Sequence, residues 1–235
     1  MIGELHRISL SWRRVGLVNS RFLHVLPQRC YNRLLSQKQS LHWRLSERRW
    51  HLENCDNEYN SDWLKVVFER ILESEQRPIS VLEFGCSAAN NLHTIRKILP
   101  SAVDKYCGID INQQAIAFAQ ARFPQESFHA GDHKWFIQNA GGLGSFDLFI
   151  ASHVLYYIDE PSVRLLLTRV RQLAKYCAIV DKMERFDAPS GNCTGAFFHP
   201  FKAISNELGF RILNICREFK IDSGGRYGYF VAETT

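Results

Sequence analysis

Residues 78–91 read PISVLEFGCSAANN. A proline and an apolar, β-branched run lead into an acid, a glycine and small residues, and Asn91 then opens a helical pattern that lasts to Leu99. The order strand, tight turn, helix follows from that change of period. Gly85 falls where the strand ends, and Ser87, Ala88 and Ala89 keep the turn thin enough for a flat ligand to lie against the backbone. A nucleotide-like cofactor suits such a turn.

Upstream, Asp62 is placed to cap a helix whose apolar positions Trp63, Leu64, Val67, Phe68, Ile71 and Leu72 share one face and which ends before Pro78. Residues 54–61 (NCDNEYNS) have the composition of a linker, so a basic helical extension or cap over residues 1–60 and an α/β domain over 61–235 are expected. Within the extension, Ile8, Trp12, Val15, Val18, Phe22 and Leu26 recur at helical spacing beside Arg7, Arg14 and Arg21, until Pro27 breaks the pattern. Such a basic amphipathic helix packs its apolar stripe onto a domain or lies in a membrane interface. It also has some of the character of a mitochondrial presequence, against which Glu4 and the lack of a serine-rich character count.

Downstream, the strand at residues 106–109 ends in Asp110, a helix over 113–123 is closed by Pro124, and a strand at 127–130 ends in Gly131 and Asp132. A short amphipathic piece and a glycine loop at 141–144 precede a buried-type strand at 146–152. Pro161 sits in the first turn of a helix running to about Lys175, and 177–180 with Asp181 make the fifth strand. This alternation specifies a doubly wound, mostly parallel sheet with right-handed crossovers. After a helix at 201–208 stopped by Gly209, segments 210–219 and 227–232 are joined too tightly for a helical crossover, so they form an antiparallel pair at one edge.

Composition bounds the rest. At 235 residues and 46% apolar content the chain fills one core. No apolar run approaches the roughly 18 residues of a membrane span, and seven cysteines without a C-x-x-C pair suit buried thiols in a reducing cytoplasm better than disulfides or zinc. No metal is expected. Residues 1–50 carry ten Lys and Arg against two acids, whereas the remainder carries nineteen against twenty-two. That asymmetry suits an anionic partner for the head, whether a membrane surface, nucleic acid or a phosphorylated substrate, or else a solvated basic face.

Open parallel sheets bind ligands beyond the carboxyl ends of their strands. The polar residues there are Glu83, Asp110, Asp132, Ser152 and Asp181. A pyrophosphate would favour G-x-G-x-x-G, of which only Gly85 is kept, while a ribose without a pyrophosphate needs a carboxylate acceptor beyond the second strand, where Asp110 stands.

In VLEFGCSAANNL, YCGIDINQQAIAFAQARFP, AGDHKW, FDLFIASHVLYYID with Pro161, and FFHPFKAISNELGF, the chain resembles the class I methyltransferases that use S-adenosylmethionine, from about Pro78 to Ala232. The resemblance implies a seven-stranded sheet, with Glu83, Gly85, Cys86 and Ser87 in the turn under the cofactor, Asp110 and Ile111 at the ribose, and Asp132 with His133 at the adenine. It places Ser152 and His153 toward the methionine portion and the acceptor. Ser87 stands where the family often has a second glycine, and Ala-Ser-His ends the fourth strand in place of the Asn/Asp-Pro-Pro-Tyr/Phe type seen in enzymes that methylate base amines. The first two motifs look most like members that modify sugars or other small metabolites.

The implied activity is transfer of a methyl group to a small-molecule acceptor, with a sugar or glycan precursor as the finer expectation. The alternatives are a nucleic-acid or protein methyltransferase that uses the basic head, a nicotinamide-dependent oxidoreductase, or a noncatalytic binding module of the same fold. For a hydroxyl acceptor the candidate bases are His199 and His153. His199 is preferred because Pro200 holds it extended, so its ring is expected to be presented from a loop; the competing reading makes each histidine a cap. Asp110→Ala is expected to weaken cofactor binding and leave the fold intact.

Overall fold

Along the first strand of the sheet, β1 (Ile79–Phe84), Ile79 and Val81 belong to one apolar layer and Leu82 and Phe84 to the other. That two-sided burial is what a central parallel strand requires. In the computed structural model the described residues are 28–46, 61–182, 191–193, 196–220 and 226–234. The expected amphipathic helix at residues 5–26 and the linker positions 54–60 lie outside them. The chain divides into two compact units, Met1–Leu35 and Ser36–Thr235.

The described elements are α1 (Gln28–Arg44), α2 (Ser61–Glu75), β1, α3 (Asn90–Ile98), β2 (Val103–Asp110), α4 (Gln113–Arg122), β3 (Ser127–Ala130), α5 (His133–Asn139), β4 (Phe146–Ser152), α6 (Glu160–Leu173), β5 (Ala174–Lys182), β6 (Gly191–Cys193), β7 (Ala196–Phe198), α7 (Phe201–Leu208), β8 (Phe210–Lys220) and β9 (Arg226–Thr234). Seven strands form one sheet in the order β3-β2-β1-β4-β5-β9-β8. Strands β1 to β5 are parallel neighbours, while β9 runs antiparallel to both β5 and β8. This is the expected doubly wound sheet with its antiparallel edge pair.

One layer packs Trp63, Leu64, Val67, Phe68 and Ile71 of α2 with Leu92 and Ile95 of α3 onto the sheet. The other packs Val163, Leu166, Leu167 and Val170 of α6 with Phe201 and Ile204 of α7. Four differences from the sequence reading have local causes. Ser61 begins α2, so Asp62 lies in the first turn and stabilises it as an acid near the helix N-terminus, not as the cap. Strand β2 starts at Val103, before the apolar run, because Asp104 and Lys105 face solvent at its open end. Strand β5 begins at Ala174, immediately after α6, with no turn residues to mark the join. Helix α1, within the segment expected as a helical extension, was not delimited because its few apolar residues, Leu34, Leu35, Leu41 and Trp43, are set in a polar majority, and the β6–β7 ribbon was not anticipated because its strands have three residues each.

No described helix is long and apolar enough to cross a membrane. Among the described residues no cluster of His, Cys, Asp and Glu can hold a metal ion.

Candidate active site

The strand order reverses between β1 and β4, and the loops leaving those two strands bound the crevice at the carboxyl edge. Register places the strand ends side by side: Phe84 is opposite Ile109 and Ala151, Asp110 opposite Ala130, and Ser152 opposite Val180. Gly85, Asp110, Gly131 and Ser152 therefore line one edge.

The turn after β1 is held in an unusual shape. Gly85, Ser87 and Ala89 have φ of 81°, 50° and 60°. Non-glycine residues resist the left-handed region, so the turn persists only because its surroundings fix it. Gly85 and Cys86 donate to the Ile109 carbonyl at 2.7 and 3.1 Å, and the Ser87 N–H donates to an Asp110 carboxylate oxygen at 2.8 Å. A Cβ at Gly85 would lie 2.8 Å from Cβ and Cγ2 of Val154, in the loop after β4. Here the two loops touch, and Gly85 is required by that contact as well as by its positive φ.

Asp110 does more than wait for a ligand. Its other oxygen accepts from the Asn112 N–H at 2.8 Å, and burial raises its pKa while the N–H groups of Asn112, Ser87 and Ile111 pull it back. A carboxylate has about four lone-pair positions, so with three N–H groups on it one position remains for a ribose hydroxyl. Because the same group clasps the β1 turn, Asp110→Ala also strands the Ser87 and Asn112 N–H groups and lowers the stability of the folded chain.

Glu83 is 1% exposed and faces the α3 side of the sheet, where it accepts from Asn91 Nδ2 at 2.7 Å and from the Tyr106 hydroxyl at 2.5 Å. Burial is the main cause that pushes its pKa up to about 7. It ties β1 to α3 and β2 beneath the turn. Cys86 is also buried, and its Sγ fills the space that a Cβ on Gly108 would take, at 2.7 Å. Burial raises its thiol pKa well above the usual range, so it is an inert packing group.

Asp132 caps α5, with one oxygen accepting from Lys134 and Trp135 N–H at 3.0 Å. Its second oxygen lies 3.5 Å from the Arg44 guanidinium. His133, first in α5, keeps an N–H without an intrahelical partner, while its ring is buried and its pKa is lowered by that burial. Ile111, half-buried, follows Asp110 in the β2–α4 loop.

At the end of β4, Ser152 is 9% exposed and its Oγ has no hydrogen-bond partner among the described residues. His153 follows with φ of 56° and its N–H on the Val180 carbonyl at 2.8 Å. A left-handed histidine is a strained conformation at a strand end facing the crevice. Asp181, 1% exposed, lies one strand away at β5.

His199 departs from expectation. Its ring is 4% exposed, stacked near Phe197 and edge-on to Phe201, and not presented to solvent from a loop. Nε2 lies 3.0 Å from the Leu155 carbonyl and donates to it, which fixes the tautomer, and burial lowers its pKa. The aromatic residues on both sides draw the ring into the layer beneath α7.

The sequence reading missed Asn112, Val154, Trp43, Arg44 and Ser46. Asn112 carried a readable signal as the polar residue opening α4, where its Oδ1 accepts from Ala115 N–H at 2.9 Å. The others are placed only by tertiary contacts.

The turn fits a nucleoside-bearing cofactor on three counts: left-handed backbone clasped to a buried carboxylate, an acceptor position remaining on Asp110, and an unsatisfied Ser152 hydroxyl across the crevice. Residues 82–176 match the family model described as a methyltransferase domain. No curated protein matches the chain. Among solved structures it is similar to magnesium protoporphyrin IX methyltransferase from Synechocystis with bound S-adenosylhomocysteine, at 13% identity and TM-score 0.63, over 86% of this chain and 100% of that one. It is also similar to 1,6-didemethyltoxoflavin-N1-methyltransferase from Burkholderia thailandensis, at 15% identity and TM-score 0.62, over 90% and 92%. A third is the N-methyltransferase NodS from Bradyrhizobium japonicum, at 17% identity and TM-score 0.58, over 85% and 98%. The fold is that of the class I methyltransferases.

Proposed function

We propose that this chain, built on a methyltransferase domain, transfers the methyl group of S-adenosylmethionine to a small organic acceptor. The observation that carries this reading is the left-handed turn from Gly85 to Ala89, clasped by Asp110 and facing Ser152 across the switch point. Asp110 would accept a ribose hydroxyl, with Ile111 beside it. The backbone of Gly85, Cys86 and Ser87 would lie against the cofactor, the His133 N–H and the Asp132 oxygen nearest Arg44 would meet the adenine edge, and Ser152 the methionine portion. Glu83 would support this floor from beneath. When bound, the cofactor supplies a methyl group activated on a sulfonium; the residues of the chain orient the partners and exclude water. Positioning of that kind contributes about 7 to 11 kcal/mol to such a reaction.

Where the acceptor is a hydroxyl, His153 is the better placed base, since it leaves β4 at the crevice in a strained conformation. His199, held by the Leu155 carbonyl, would position the loop that His153 opens. A sugar or glycan precursor is the first acceptor to try, and flat heterocycles are the second, since the porphyrin and toxoflavin enzymes named above share the fold. The buried free thiols of Cys86, Cys107 and Cys177 suit the cytoplasm.

The test has two stages. Calorimetry should show saturable binding of S-adenosylmethionine and S-adenosylhomocysteine, and labelled S-adenosylmethionine incubated with a fractionated extract should then label a small molecule. Absence of cofactor binding would leave a noncatalytic module; label in RNA, DNA or protein would move the acceptor to a macromolecule.

A further inference from the structure

Asn112 is 1% exposed, and its carboxamide works in two directions. Oδ1 accepts from the Ala115 N–H and so caps α4. Nδ2 lies 3.0 Å from the Trp43 carbonyl, the Ser46 carbonyl and Ser46 Oγ, so two N–H donors are shared among three acceptors. Ser46 Oγ in turn donates to the Trp43 carbonyl at 2.8 Å. The end of α1 and the residues after it are thereby fastened beyond β2.

The same short segment reaches two other loops. The Trp43 ring is 5.1 Å from the Tyr157 ring, in the loop after β4, and the Arg44 guanidinium is 3.5 Å from Asp132, after β3. Because β1 lies between β2 and β4 in the sheet, a segment bound to Asn112 on one side and Tyr157 on the other crosses the mouth above the Gly85 turn. The Arg44 pair is largely exposed and contributes little. The buried carboxamide is the strong fastening.

We propose that residues 43–46 form a strap that closes over the bound cofactor and slows its release, with Asn112 as the latch. This rests on the reading that the crevice binds S-adenosylmethionine. A segment lying across the mouth of a cleft has to lift for a ligand of nucleoside size to pass, and the side chain that holds it down sits two residues after the carboxylate assigned to the ribose. Latch and ribose acceptor are in one loop: Asp110 accepts from the Asn112 N–H while Asn112 Nδ2 holds the strap. Occupation of the ribose site and closure of the strap are then coupled through Asn112.

The experiment measures release of labelled S-adenosylhomocysteine, chased with excess unlabelled compound, from the full chain and from Asn112→Ser and Trp43→Ala. Serine keeps an oxygen to cap α4 and deletes both strap donors; Trp43→Ala leaves the cap untouched and removes the contact with Tyr157. Release is expected to quicken about tenfold or more in Asn112→Ser and about threefold or more in Trp43→Ala, with association no slower in either. Hydrogen exchange at residues 43–46 is expected to slow when S-adenosylhomocysteine is added to the wild type and not when it is added to Asn112→Ser. Release within twofold of wild type in both variants, even with a lowered Tm, overturns the strap and leaves a structural clasp. Failure of the wild type to bind S-adenosylhomocysteine overturns the cofactor reading itself, and the strap with it.

Discussion

The loop after β1 and the loop after β4 meet at the contact between Gly85 and Val154, yet they are built in opposite ways. The first is set by its own residues: a glycine, small side chains, and N–H groups bonded to Ile109 and Asp110 on the neighbouring strand. The second is set from outside, by His199 on the Leu155 carbonyl, by Trp43 against Tyr157, and by the Val180 carbonyl on the His153 N–H. On the proposed function the first loop would meet the fixed cofactor and can be encoded locally. The second would shape the acceptor pocket and is free to draw on distant parts of the chain.

The largest break of that comparison is Gly85→Val, which puts a branched side chain at φ 81° and 2.8 Å from Val154. Denaturant unfolding should show a loss of about 3 kcal/mol or more, and calorimetry no cofactor binding. A folded variant of wild-type affinity would mean that the two loops can part without cost.

Glu83 tests the floor beneath the first loop. Its pKa of about 7 in the folded chain lies above the ordinary 4.5, so the protonated form is favoured by folding. The stability this group contributes is complete below about pH 4.5 and is lost as pH rises through 7, amounting to about 3 kcal/mol at the alkaline end. Glu83→Gln should flatten that dependence between pH 5 and 8 in urea unfolding, and an unchanged slope would show that Glu83 stays ionised.

Asp110→Ala should cost about 2 kcal/mol of stability by stranding two buried N–H groups, and should also weaken S-adenosylhomocysteine binding. Loss of stability with affinity intact would confine Asp110 to fastening the first loop.

The smallest effect belongs to His153→Gly. Relief of the left-handed strain should raise stability by about 1 kcal/mol while turnover of a hydroxyl acceptor falls. Retained turnover, with the acid limb of its pH profile unchanged, would remove His153 from the chemistry and return the question to His199.

Residues 78–91 alone specified strand, turn and helix, because apolar run, glycine and helical period follow one another without interruption there. The same held for β3, β4, α7 and the antiparallel tail, whose boundaries are marked by Gly131, His153, Gly209 and short connections. Asp132 was legible as a strand-end acid for which a cap is the commoner duty, and it caps α5; Glu83 was legible as a strand-end acid, but nothing in the sequence shows that Tyr106 and Asn91 converge on it. His199 was legible as a histidine before proline; its burial was not, because the depth of a ring depends on Phe197, Phe201 and the Leu155 turn closing around it.

By itself the sequence determined the parallel sheet, the turn under the crevice and the carboxylate beyond β2, all of which are consequences of hydrophobic period and local turn chemistry acting over a dozen residues. Only the tertiary structure decided that Gly85 is answered by Val154, that Asn112 reaches back 69 residues to Trp43, and that His199 faces inward. Contacts of that range depend on which elements the strand order brings to one edge, and no periodicity in the chain records them.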